Sequence, residues 1–192
     1  MVASNFFVRG DMKLLFQLCV SIWVSIANGA QFCFGIFTPF MKGYGQFAYT
    51  QKEVTLVATV GAVLSFFSLP TGYLYDRFGP RPTLIVGSFL NLTGWLGMWL
   101  LFLKKDDPIL GTSPAWMCFF YGFSQLSASF YETGSVLTNL EAFSSQQGRI
   151  IILQKTFMGL GSSVITTYYM AFFHQTHDIS QFCLFLALFN FA

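Results

Sequence analysis

Apolar residues run through this chain in long blocks, separated by short polar clusters. The first block extends from Leu14 to Met41, and others run from Val54 to Tyr75, Thr83 to Leu103, Ala115 to Phe143 and Arg149 to Phe173. Each is long enough to cross hydrocarbon as a helix, which takes about 20 residues. The pattern therefore predicts helices over about 14–41, 54–75, 83–103, 115–143 and 149–173. A sixth apolar run, 179–192, reaches the last residue after 14 positions, short of a span. It predicts an incomplete sixth helix, and with it a chain that is a fragment or a truncated gene product. The connectors agree with this division: Lys42 to Glu53 carries Gly43 and Gly45, "KKDDPILGTSP" fills 104–114, and "SSQQG" separates the fourth and fifth runs. Pro80 and Pro82 cannot donate backbone hydrogen bonds and so end the second helix.

Composition fixes the class. Of 192 residues, 54% are hydrophobic and 9% charged, where soluble domains carry about 25% charged residues. The expectation is an all-α, multi-pass membrane protein whose first partner is the lipid bilayer. The first block is too long for the apolar core of a cleavable signal, so it reads as a retained helix. A net charge of +2, with no basic run longer than Lys104-Lys105, excludes a nucleic-acid partner. Cys19, Cys33, Cys118 and Cys183 all lie in apolar runs without CxxC spacing, which predicts buried thiols rather than zinc ligands or a redox pair. Asn91-Leu92-Thr93 has the form of a glycosylation acceptor but falls mid-helix, where it would go unused. No nucleophile with a neighbouring base and no phosphate-cradling loop is present, so neither an enzyme nor a cofactor is expected. With the N-terminus in the cytoplasm, Arg9, Lys13, Arg77, Arg81, Arg149 and Lys155 fall inside, against Lys42, Lys52, Lys104 and Lys105 outside. That distribution favours this orientation. No targeting motif selects a plasma membrane over an organelle membrane.

The charges between the second and third runs form a pattern. In "PTGYLYDRFGPRPTLIVG" (70–87), Gly72, Leu74, Asp76, Arg77, Gly79 and Arg81 reproduce a G-x-L-x-D-R-x-G-x-R spacing. This resembles the signature that joins helices two and three in the major facilitator superfamily, and it stands at the matching place in the helix count. Gly72 would let helices approach closely, Gly79 would permit the turn, and Asp76 could accept hydrogen bonds from a helix N-terminus or from arginine. The resemblance implies that Asp76, Arg77 and Arg81 act as a conformational latch. Pro80 and Pro82 stand where many members carry basic residues, and the "DRFGPRP" form is similar to the nodulin-like branch. "FGIFTPFMK" (34–42) and "GRIIILQKTFMGLGSS" (148–163) are similar to that branch as well, with Arg149, Lys155 and Gly159 in matching places and a glycine before rather than after the arginine. The implied fold is the N-terminal six-helix half of a twelve-helix transporter, built from two three-helix inverted repeats, with a C-terminal six-helix half as its missing partner.

Helical spacing identifies where a solute would touch. At about 100° per residue, Ser21, Ser25, Asn28, Gln31 and Gly35 share one stripe of the first helix. Gly122, Gln125, Ser129, Glu132, Ser135 and Asn139 share one of the fourth. Hydrocarbon does not tolerate amides and a carboxylate, so the stripes face one another or a wet cavity. Asn28, Gln31, Gln125, Glu132 and Asn139 are the candidate residues for a solute or proton. Glu132 has two readings: an intramembrane acid that serves coupling, or one half of an ion pair with Lys155. His174, His177 and Asp178 form an H-x-x-H-D cluster in a short loop. A solvated loop accounts for it, so no metal is assigned and the two histidines stand as the remaining metal candidates. Two functions stay open: a secondary transporter moving a small polar solute or ion by alternating access, with proton coupling through Glu132, and a non-transporting six-helix remnant that acts as a partner for other membrane proteins.

Overall fold

A computed structural model describes residues 11–42, 47–104, 113–173 and 179–190. Among the described residues all regular structure is helical, and a single bridge joins Lys42 to Tyr49. The helices are α1 (Asp11–Asn28), α2 (Phe34–Met41), α3 (Gln51–Ser65), α4 (Leu69–Phe78), α5 (Pro80–Leu103), α6 (Pro114–Ala142), α7 (Gln147–Phe172) and α8 (Ile179–Phe189).

The first two apolar runs are each two helices rather than one. A tight 3-10 turn, Gly29–Phe32, separates α1 from α2. Three residues separate α3 from α4, and Pro70 is the reason. It has no N–H for the Phe66 carbonyl, and its ring would collide with that oxygen in a continuous helix. The Phe66 carbonyl instead takes the Ser68 N–H at 2.9 Å.

The start of α3 lies three residues earlier than the apolar pattern places it, because a capping box sets it. The Glu53 N–H donates to the Thr50 hydroxyl and the Thr50 N–H donates to the Glu53 carboxylate at 2.8 Å. Thr50→Ala is expected to cost about 1 kcal/mol, read as faster amide exchange confined to the first turn of α3. The turn between α4 and α5 is shorter than expected. It is Gly79 alone, at φ +82°, a left-handed conformation that glycine adopts without strain. Pro80 and Pro82 then occupy the first turn of α5, where their missing N–H groups would lack partners anyway.

Four stretches are long and apolar enough to cross a membrane: Met12–Met41, Gln51–Phe78, Pro80–Leu103 and Ser144–Phe172. The 29 residues of α6 would be about 43 Å long, yet it is not among them. It carries Gln125, Glu132, Asn139 and a series of serines, and it sits centrally, packed on α1, α3, α4, α5 and α7. Protein surrounds Gln125, Asn139 and its buried serines, as the cost of exposing them to hydrocarbon requires, while Glu132 is partly exposed.

Two close crossings hold the bundle together. A Cβ at Gly94 of α5 would stand 2.4 Å from the Ser124 backbone nitrogen of α6, and one at Gly161 of α7 would stand 2.2 Å from the Ile26 carbonyl oxygen of α1. Small residues let membrane helices meet backbone to backbone in this way. Gly72 does not play the part expected of it: a Cβ there would meet nothing within 4 Å. The reason is rotational. α4 docks through Thr71, whose hydroxyl pairs with that of Ser129 at 3.1 Å, and through Tyr75. Gly72 lies about 100° around the helix from Thr71.

The apolar core gathers where α2, α5 and α8 meet. Phe37 is fully buried there, its ring 5.6 Å from Trp95, 6.3 Å from Phe102 and 5.9 Å from Phe182 between centroids. Cys33 and Cys183 are buried, but Cys19 is exposed on the outer face of α1, so an apolar run did not in its case mean burial within protein. Asn91 is buried in α5.

Candidate functional site

An open groove of about 680 Å³ lies between the 3-10 turn after α1, the break between α3 and α4, and one face each of α6 and α7. No residue of α5 or α8 lines it. Helical geometry presents its polar wall: Tyr121, Gln125, Ser129 and Glu132 recur at three- and four-residue spacing along α6, and Lys155 and Met158 do so on α7. The α3 to α4 break contributes Ser65, Phe66 and Ser68 to the opposite side, so Pro70 shapes this wall as well as the helix count.

Glu132 and Lys155 form an ion pair on the polar wall of this groove, the Lys155 ammonium donating to Glu132 Oε1. Their side chains are 39% and 46% exposed respectively. The pair is reachable from the groove while its stems are held by the two helices. Above it, Gln125 Nε2 donates to the Gln31 carbonyl at 3.5 Å. The Gln31 and Asn28 amides both donate to Met158 Sδ at 3.7 Å, the thioether serving as a weak acceptor.

The five expected contact residues are not equivalent. Gln31, Gln125 and Glu132 line the groove. Asn28 is buried beneath it, donating to the Ala128 carbonyl at 3.3 Å. Asn139 is fully buried and lies apart, its side-chain oxygen accepting from Gln17 at 3.2 Å. α1 packs directly on α6 and closes Asn28 and Asn139 into that contact, while Gln125 and Glu132 line the groove beside it.

Sequence reasoning passed over several residues that matter here. Gln154 is buried at 1% exposure directly behind the ion pair and donates to the Ser135 carbonyl at 3.3 Å. Gln17 ties α1 to α6 through both Thr138 and Asn139. Both are amides inside apolar runs, and that was the available signal. Tyr75 donates to Glu141 Oε1 at 3.3 Å and pairs with the Thr138 hydroxyl at 3.2 Å, anchoring the end of α4 on α6.

The expected latch residues behave differently. Asp76, Arg77 and Arg81 are all exposed. The Arg77 guanidinium lies over the Tyr73 ring at 5.9 Å and the Phe78 ring at 5.7 Å, and donates to the Tyr73 hydroxyl. Among the described residues Asp76 makes no hydrogen bond or ion pair. The structure does not bring the three together, and their charged ends point outward.

His174, His177 and Asp178 lie outside the described residues. Among the described residues no group of three or more His, Cys, Asp or Glu side chains is placed to hold a metal ion.

A family model described as Nodulin-like matches residues 15–192. The chain belongs to the Nodulin-like family. No curated protein and no solved structure matches it. The match covers every helix from the interior of α1 onward, so groove, ion pair and α4 to α5 turn all lie within the nodulin-like region. Family membership and the apolar helices together mark a membrane protein, and they are consistent with a transporter-like one.

Proposed function

We propose that this nodulin-like chain is a six-helix N-terminal half of a major facilitator superfamily secondary transporter, crossing the membrane several times and moving a small polar solute by alternating access. The observation that carries this reading is the open groove with a solute-accessible ion pair, Glu132 and Lys155, on its wall. Intramembrane charges that face a cavity mark solute or ion pathways.

The distribution of helices supports the same reading. Taking the apolar runs as two triplets, the first and second members of each contribute to the groove: the first run through the 3-10 turn and α2, the second through α3 and the break after it, the fourth and fifth through α6 and α7. The third members, α5 and α8, pack against each other away from it. Equivalent roles for equivalent members suit two inverted three-helix repeats. The exposed Asp76, Arg77 and Arg81 suit a latch whose partners belong to a second six-helix unit rather than to this one. No covalent step, cofactor or metal enters such a mechanism. Transport needs only that the groove present its ion pair to one side of the membrane and then the other, with the solute bound in place of water.

The test is counterflow in proteoliposomes containing the protein, loaded in turn with a panel of amino acids, monocarboxylates, sugars and amines. Saturable exchange of one class, lost in Glu132→Gln, is expected. Absence of exchange across the panel would replace this reading by that of a membrane protein that serves only as a partner for others.

A further inference from the structure

The groove carries two opposite charges and no surplus of either. Glu132 alone would favour a cation, but Lys155 stands on the same wall, paired to it, and cancels that preference. A solute with a single charge would satisfy one member of the pair and strand the other. Leaving either charge without its partner is unfavourable, by less than in a fully buried pair because both side chains are partly exposed, and removing one partner of a pair is more damaging than replacing both. A solute with a carboxylate and an ammonium attached to one carbon avoids that penalty. Its carboxylate meets the Lys155 ammonium while its ammonium meets the Glu132 carboxylate, so four charges stay paired throughout.

The accessibility of the pair agrees with this exchange. With 39% and 46% of their side chains exposed, both heads can be reached without separating α6 from α7. The rest of the surroundings suits an apolar body. Met158 lines the groove one turn along α7 from Lys155, and it lies beside Glu132 and Lys155 at the foot of the groove as well. Gln31 and Gln125 supply the nearby amides. The volume of about 680 Å³ falls within the range of about 300–1,000 Å³ usual for small-molecule sites.

We infer that the groove binds a zwitterionic α-amino acid with an apolar side chain, its two charged heads taking Lys155 and Glu132 as partners and its side chain resting against Met158, one turn along α7 from Lys155. This rests on the reading of the groove as a solute site.

A matched trio tests the inference on the wild-type protein in detergent: phenylalanine, 3-phenylpropanoate, which lacks the ammonium, and phenethylamine, which lacks the carboxylate. Isothermal titration at pH 7 is expected to show phenylalanine binding at least about tenfold more tightly than either analogue, a gap of about 1.4 kcal/mol. In Glu132→Gln the preference over 3-phenylpropanoate is expected to vanish, and in Lys155→Gln the preference over phenethylamine. Either analogue binding as tightly as phenylalanine, or no binding of phenylalanine, overturns the inference. The comparison among the three compounds needs no variant, so it stands even where a variant fails to fold. The inference and the transport reading fail separately. Counterflow of 3-phenylpropanoate without a preference for phenylalanine removes the ligand class and leaves transport, whereas tight phenylalanine binding without any exchange removes transport and leaves the ligand class.

Discussion

Gly161→Leu is expected to leave almost no folded protein in the membrane fraction. A Cβ at this position would stand 2.2 Å from the Ile26 carbonyl oxygen and 2.8 Å from the Ile26 Cα, while from the other side a Cβ on Gly29 would stand 2.6 Å from the Ser162 backbone nitrogen. Every obstructing atom is backbone, so no flexible side chain can yield. Restoring ordinary contact would need α1 and α7 to part by about 1 Å or more even for alanine, and overpacking of this kind costs about 1–3 kcal/mol or above. Leucine would add three further carbons in the same place. Parting the helices would also pull Asn28 and Gln31 away from Met158 and open the floor of the groove. Gly159→Leu is the control, because a Cβ at that position meets nothing within 4 Å. Size-exclusion profiles and thermal melting of the two variants decide the matter. A monodisperse Gly161→Leu protein melting with the wild type would mean that α1 and α7 do not cross here.

The second large effect is expected at the ion pair. Lys155→Met should destabilise the protein by about 1–3 kcal/mol, between the small value of an exposed pair and the 3–5 kcal/mol of a fully buried one, since the pair is only partly sealed from the groove. It should also reduce uptake by about a hundredfold, because the carboxylate left behind has no fixed partner. Adding Glu132→Gln should recover most of the stability, since an amide needs no counter-charge, while uptake stays low. The four proteins form a double-mutant cycle, and the coupling is read from melting and from initial rates. If the stability losses of the two single variants simply add in the double variant, the two residues do not act as a pair.

The existence of the helices was legible because long apolar runs have few other uses, and residues such as Leu14 to Met41 say so at once. Their interruptions were harder to see. Pro70 stands in the quoted stretch, yet attention to the charges that follow it hid its effect on Phe66, four residues back. The 3-10 turn at Gly29 was not legible, since the α7 backbone that packs against it lies about 130 positions later in the chain. Local spacing reports on one helix at a time. The same limit explains the site. Wheel geometry placed Gln31, Gln125 and Glu132 on two polar stripes, and these three do reach the groove. It could not say that α1 would lie directly on α6 and close Asn28 and Asn139 into the contact. Gly72 fits the signature spacing, but which face of α4 meets α6 depends on Thr71 and Tyr75 finding Ser129, Thr138 and Glu141. Only the assembled bundle determines that.

The polarity of α6 bears on how the protein is made. The stretches that form α1 to α5 include three spans apolar enough to enter a bilayer on their own hydropathy, and they leave the ribosome before α6. α6 carries Gln125, Glu132 and Asn139 along with its serines, so alone in lipid it would expose groups that hydrocarbon rejects. Its stable entry therefore depends on neighbours already in place. α5 and α3 offer it Gly94 and Gly61, where a side chain would collide with Ser124 and Tyr121. On the multi-pass reading proposed above, such a helix is expected to pass from the insertion machinery to its partners rather than into lipid, and the order of the chain supplies those partners in time.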